Sequence, residues 1–315
     1  MLGAMSLSLI VGPPNSGKAG EVLARLKAAL DRDPVLIVPT LDDADRFERE
    51  LCEGAGNGDA VLGVSIRTFE RLFEDVAQAT GTPLPPTLSD EQRLYAVRLA
   101  TRRANPRILG RSAARPGFAR ALTALLDEVQ AACIDPSGLA ASAAAASPQS
   151  AYLREVAALY TAYAETRDAL GYGDDHVAAA RATAALRTSP DAWNARPVLV
   201  YGFDDLAAEQ LELLSALAEA SEVTVSVAYE DRDAFVARAH LYQELRERGG
   251  ESEAPLEPNP ANPESQTLFR LERCLLRERT DRVSRTTASC GWRRPASVVR
   301  PSRSVARSLV CSPTG

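Results

Sequence analysis

An apolar, strand-like run at residues 7–11 leads without a break into Gly12-Pro13-Pro14-Asn15-Ser16-Gly17-Lys18-Ala19. No other feature constrains the fold as tightly. A Gly-x4-Gly-Lys loop between a strand and a helix turns backbone N–H groups toward an anion, and the helix dipole adds partial positive charge there. The amphipathic stretch 19–30 supplies the helix. Lysine is scarce, with Lys18 and Lys27 the two in the chain, so a lysine in this slot is informative. The usual last residue of the loop is Ser or Thr, whose hydroxyl binds magnesium; here it is Ala19. The expectation is a loop, Gly12 to Ala19, that holds the phosphates of ATP while its magnesium site is degenerate.

The remaining pattern builds a parallel α/β core around that loop. Further strands are expected at 35–38 and 60–66, and helices at 41–52 and 68–79. Strands alternating with helices imply βαβ units, whose ligands sit at the carboxyl ends of the strands. From 89 to 186 no strand is convincing. Apolar residues such as Phe118, Leu122, Leu125, Leu126 and Val129 recur at helical spacing. Ser89-Asp90-Glu91-Gln92 reads as a helix start, and 136–150 as a loop with at most a short helix. The sheet resumes with strands at 197–201 and 223–227 and helices at 207–218 and 235–248. Three parts are expected: 1–80 with 190–250 as a P-loop, helicase-like core, 81–189 as a large all-helical insertion, and 251–315 as a linker and irregular basic tail.

Bulk composition excludes several classes. Hydrophobic content of 45% and charged content of 25% in 315 residues are ordinary for a soluble protein. No run of 18 apolar residues predicts a membrane span, and no secretory leader is read, so a cytoplasmic protein is expected. The five cysteines (Cys52, Cys133, Cys274, Cys290, Cys311) form no C-x2-C pair and predict neither zinc nor a disulfide framework.

Charge gives a separate candidate. Between Arg93 and Leu126 lie eight arginines (Arg93, Arg98, Arg102, Arg103, Arg107, Arg111, Arg115, Arg120) and no acidic residue, in a chain of net charge −6. Such a patch attracts a phosphate backbone, and guanidinium groups fork onto phosphate. It reads equally as a solvated helix surface or a face for an acidic partner. Asp174, Asp175 and His176 are adjacent, so their side chains diverge on a helix; a helix start is expected there, not a metal site.

The order of these motifs resembles the N-terminal, helicase-like region of AddB-type subunits of bacterial AddAB helicase–nucleases, distant relatives of UvrD/Rep helicases. The resemblance rests on the loop, Val38-Pro39-Thr40, Ser65-Ile66-Arg67-Thr68-Phe69-Glu70-Arg71-Leu72, the helical insert, and Tyr201-Gly202-Phe203-Asp204-Asp205-Leu206 with Gln210, and covers about residues 5–272. It implies processing of DNA double-strand ends in recombinational repair, beside an AddA/UvrD-like partner carrying the main motor. In that family a PD-(D/E)XK nuclease domain with an iron–sulfur cluster follows; no nuclease activity is expected of these 315 residues. In UvrD-like helicases an Asp organising magnesium and a Glu orienting water end a strand. The alignment puts Tyr201 and Gly202 there, leaving Asp204 and Asp205 as weak catalytic candidates, and so implies very slow hydrolysis or none. The resemblance also places Thr40 and Thr68 where such helicases touch single-stranded DNA. Arg98, Arg102, Arg103 and Arg107 complete the expected DNA contacts. Phe69 has core spacing and is expected inside. The rival readings are an active small P-loop ATPase or kinase, and a non-functional fragment.

From Arg282 to Gly315 there are seven arginines and no acidic residue. This stretch reads either as a basic tail that binds nucleic acid or as the product of a shifted reading frame beginning near Cys274.

Overall fold

The computed structural model describes residues 6–14, 16–54, 64–145, 151–231 and 235–256. These form a six-stranded sheet from β1 (Leu7–Gly12), β2 (Val35–Ile37), β3 (Ser65–Arg67), β4 (Val198–Val200), β5 (Val223–Ala228) and β6 (Glu251–Ser252). The order is β3-β2-β4-β5-β1-β6 and every pairing is parallel. β5 therefore separates β1 from β4. Because all strands run the same way, the segments after β1, β2, β3 and β4 emerge on one edge of the sheet, where ligands of open α/β sheets bind.

The strands are apolar on both faces because both are covered. Alternation sends Leu9 and Val11 into one core and Ile10 into the other. Helices α1 (Lys18–Ala28) and α2 (Leu41–Gly54) cover one face, burying Val22, Leu26, Phe47 and Leu51. On the other lie α3 (Phe69–Ala79), α9 (Asp175–Thr188), α10 (Ala208–Ala220) and α11 (Val236–Glu247). Between α3 and α9 the chain leaves the sheet through α4 (Asp90–Ala104), α5 (Gly110–Ala113), α6 (Phe118–Ala131), α7 (Pro136–Ala145) and α8 (Ala151–Ala169). Four of them, α4, α6, α7 and α8, share a core of their own, with Val97, Leu122, Leu126, Leu159 and Tyr163 buried in it. The exit and return are tied together, Gly173 donating to the Pro86 carbonyl and Leu88 to the Gly173 carbonyl.

Several boundaries differ from expectation. The third strand is Ser65–Arg67, later than 60–66; 60–63 lie outside the described residues. The stretch 136–150, expected as a loop with a possible short helix, carries the ten-residue helix α7 over Pro136–Ala145. Alanine has the best helix propensity, and Asp135 caps the first turn by accepting from the Gly138 N–H at 2.5 Å. Helix α9, expected within the insertion, packs Ala179, Ala182 and Leu186 into the sheet core. Glu251 and Ser252, expected in a linker, pair with β1 as its edge strand. The expected basic tail, with Cys274, Cys290 and Cys311, lies outside the described residues.

Candidate functional site

The loop after β1 is a tight turn that leads directly into α1. Gly17 takes the left-handed conformation, φ 84°, that only glycine adopts without cost, and nothing lies within 4 Å of where its Cβ would be. This turn aims the start of α1 back across the loop. No side chain caps that helix, so its first N–H groups have no intrahelical partner. The buried Lys18 curls over the loop, its Nζ donating to the carbonyls of Gly12 at 2.9 Å and Pro13 at 2.5 Å and to Ser16 Oγ at 3.3 Å. Gly12, Pro13, Pro14, Ser16, Gly17 and Lys18 all lie in this one loop and helix start; Asn15 lies outside the described residues. Ala19 packs its methyl against the α1–α2 side of the core, and offers no oxygen.

The turn after β4 is built for something else. The Tyr201 N–H continues the ladder by donating to the Ile37 carbonyl at 3.0 Å, and its ring meets Phe47 edge-on at 5.2 Å. Gly202 has φ 90°, and a Cβ there would stand 3.2 Å from Pro39 Cδ. An acid at this position would need a left-handed backbone and would press on Pro39, so glycine is required by the turn itself. Asp204 is largely exposed and pairs with Arg238 of α11 at 2.5 Å. Asp205 accepts from the Leu206 N–H at 2.9 Å, which shapes the turn into α10. Each carboxylate thus has a partner within the turn or on α11, and among the described residues no three His, Cys, Asp or Glu side chains are grouped to hold a metal. The donor set does not fit magnesium.

The expected DNA contacts fall in two places. Thr40, after β2, caps α2: its hydroxyl accepts from the Asp43 N–H at 3.1 Å and donates to the Asp43 carboxylate at 2.6 Å. Thr68, after β3, precedes α3 in extended conformation without a side-chain cap bond. Both stand on the carboxyl edge of the sheet. Phe69 is in the core as expected, meeting Phe203 edge-on at 5.1 Å. The arginines belong to the insertion. Arg103 pairs with Glu165 at 3.1 Å. The backbone N–H of Arg107 donates to Glu155 at 2.6 Å, as those of Ile108 and Leu109 do at 2.7 and 2.9 Å. Arg98 and Arg102 are exposed on α4.

The family described as "ADDB, N-terminal" matches residues 9–272. The chain belongs to the AddB N-terminal family. It is 28% identical over 279 residues to an ATP-dependent helicase/deoxyribonuclease subunit of Desulforudis audaxviator, covering 80% of this chain and 24% of that protein. The protein of the same name from Pelotomaculum thermopropionicum is 30% identical over 147 residues, 44% of this chain and 12% of that protein. The match thus spans at most about a quarter of the length of these relatives.

In this AddB N-terminal chain a buried polar cluster, which the sequence did not announce, fixes the insertion to the sheet. Asp174 caps α9 by accepting from the Val177 N–H at 3.0 Å. Its other oxygen accepts from Arg167 Nη1 at 3.0 Å, Tyr163 Oη at 3.0 Å and Gln130 Nε2 at 3.1 Å. Burial pushes this carboxyl up, but Arg167 and the hydrogen bonds outweigh it and hold it below its usual range. Burial, with the Asp174 charge beside it, raises the Tyr163 phenol. Next along α9, His176 Nδ1 lies 2.8 Å from Glu209 of α10, and Nε2 lies 3.5 Å from Asp127 of α6. Burial alone would lower this imidazole; the two carboxylates win and raise it to about 9. His176 is therefore a cation at neutral pH, clamped between the two cores. Among the described residues no helix is long and apolar enough to cross a membrane.

Proposed function

We propose that this chain is the helicase-like part of an AddB-type subunit that grips ATP and DNA at broken ends, with little or no hydrolysis of its own. The observation that carries this reading is the division along one sheet edge: a glycine–lysine cradle after β1, and a turn after β4 whose acids are spent on Arg238 and Leu206. The cradle favours a triphosphate through backbone N–H groups, the dipole of α1 and the Lys18 ammonium. Magnesium would normally bridge the outer phosphates and be held by a loop hydroxyl and a strand-end acid; Ala19, Tyr201 and Gly202 stand in those positions here. Thr40 and Thr68 lie on the same edge and are suited to phosphate contacts.

The named relatives are helicase/deoxyribonuclease subunits. By that kinship this chain works beside an AddA/UvrD-like motor, in the cytoplasm, in recombinational repair, and the deoxyribonuclease activity lies outside the matched portion. Calorimetry of the full chain with a non-hydrolysable ATP analogue tests the reading. Saturable binding, weakened by Lys18→Ala, is expected, with no magnesium-dependent phosphate release from ATP. Absence of binding in the parent chain would reduce the reading to kinship of fold.

A further inference from the structure

The arginines of the molecule differ in what they meet. In the sheet domain Arg25, Arg32, Arg67, Arg196 and Arg238 each pair with a carboxylate. In the insertion, α4 and the segment between α5 and α6 enclose a cleft of about 350 Å³ whose lining includes Arg98, Arg102 and Arg115 but no Asp or Glu. None of these three guanidinium groups has a carboxylate partner among the described residues. Three unneutralised cations converging on one concavity repel one another, an arrangement that an anion relieves.

The cleft continues along one face of α4. Tyr95, Arg98 and Arg102 are spaced i, i+3, i+7, which puts them on one stripe of a helix. The opposite side of α4 buries Ala96, Val97 and Ala100. Tyr95 is 60% exposed, an unusual setting for so large a ring. Arg98 and Arg102 lie about 6 Å apart along the helix axis, at 1.5 Å per residue. Glu91, one turn before Tyr95, is held by the Ser89 hydroxyl and ends the stripe. Phe118 forms part of the far wall.

From this we infer that the α4 stripe and the Arg98–Arg102–Arg115 cleft form a track for single-stranded nucleic acid. Arg98, Arg102 and Arg115 hold successive phosphates and Tyr95 stacks on a base. A ring beside a basic groove is the arrangement that binds single strands without reading sequence, whereas free phosphate would use the cleft and leave the ring idle. The track rests on the proposal that the chain handles DNA, yet it involves no residue of the nucleotide cradle. It also divides the basic patch: Arg103, neutralised by Glu165, is outside the track.

The test is fluorescence anisotropy of a labelled oligothymidylate with the full chain across a salt series. Removing all three track arginines to alanine is expected to weaken binding and to flatten the log–log salt slope by about 2, at about 0.7 per phosphate contact on a single strand. Tyr95→Ala is expected to weaken binding about tenfold with an unchanged salt slope, and Tyr95→Phe to retain it, because stacking needs the ring. Arg32→Ala, in the sheet domain and paired with Glu222, should stay within about twofold of the parent. All substituted positions are exposed, and thermal unfolding of each variant confirms that it folds. Equal loss from Tyr95→Phe and Tyr95→Ala, an unchanged salt slope in the triple variant, or inorganic phosphate or a duplex of equal length competing as well as the oligothymidylate would each overturn the track. Calorimetry with the ATP analogue on the triple variant separates the two proposals: nucleotide binding is expected to be intact even where strand binding is lost.

Discussion

Two strand-to-helix connections on one sheet edge use the same backbone device to opposite ends. After β1, Gly17 at φ 84° faces open space, and Lys18 at the start of α1 folds back onto the Gly12 and Pro13 carbonyls. After β4, Gly202 at φ 90° is backed by Pro39, and the following acids are taken up by Arg238 and by the turn into α10. A left-handed glycine is therefore not by itself the mark of a binding turn. What distinguishes the two is whether the space beside the glycine is open. By this measure the first connection is the candidate site, and the second is a structural corner.

The turn after β4 leads into α10, which His176 of α9 ties down through Glu209. This yields the largest expected effect. The imidazole is at about 9 in the folded chain against 6.5 for the free group. A raised folded value means that the stabilisation is complete below pH 6.5 and is lost as pH rises through 9. The difference corresponds to at most about 3 kcal/mol, at 1.36 kcal/mol per pH unit. Thermal unfolding of the parent should fall between pH 6.5 and 9 more steeply than that of His176→Gln. Parallel curves would remove the clamp from the account.

Lys18→Ala attacks the open connection. A hydrogen bond to a charged group is worth about 1.5–3 kcal/mol, so affinity for an ATP analogue should fall about ten- to a hundredfold by calorimetry. Asp204→Ala, at the closed connection, should leave that affinity unchanged. Loss of binding in Asp204→Ala would mean that the corner belongs to the nucleotide site after all.

The glycines themselves give a matched pair. Alanine in a left-handed conformation costs about 1–2 kcal/mol. Gly17→Ala and Gly202→Ala should both lower stability by about that amount in denaturant titrations, with some addition at Gly202 from the contact with Pro39. Gly17→Ala should also weaken nucleotide binding, and Gly202→Ala should not. Identical effects on binding would erase the distinction between the connections.

Much of this was legible in the residues, and what was not has physical causes. The loop, the strands at 7–12, 35–37, 198–200 and 223–228, the caps Ser89 and Asp174, and the core placement of Phe69 follow from local chemistry and periodicity. Helix α7 escapes a local reading because small residues such as Ser137, Gly138 and Ser142 mimic a loop. Strand β6 is two residues long and exists through pairing with β1, which no local pattern encodes. The fate of Asp204 depends on Arg238, far along the chain. The cluster of Gln130, Tyr163, Arg167 and Asp174 joins three helices and has no motif. Tyr95 was findable, since its spacing to Arg98 and Arg102 is written in the sequence; the charge run drew attention to the arginines alone.

The smallest expected effect is also the sharpest test of what the closed corner has lost. Ala19→Ser restores the hydroxyl that a phosphate loop normally offers to magnesium. Ala19 is only partly buried, beside Leu23, and serine in a helix costs well under about 1 kcal/mol relative to alanine, so the fold should tolerate it. One metal contact is then returned on the β1 side while the β4 side still presents Tyr201 and Gly202 in place of acids. Phosphate release with magnesium should therefore stay at background. If Ala19→Ser alone gave turnover that Lys18→Ala abolished, Asp204 or Asp205 must have left its present partner to serve the metal. The corner after β4 would then be a latent half of the catalytic site.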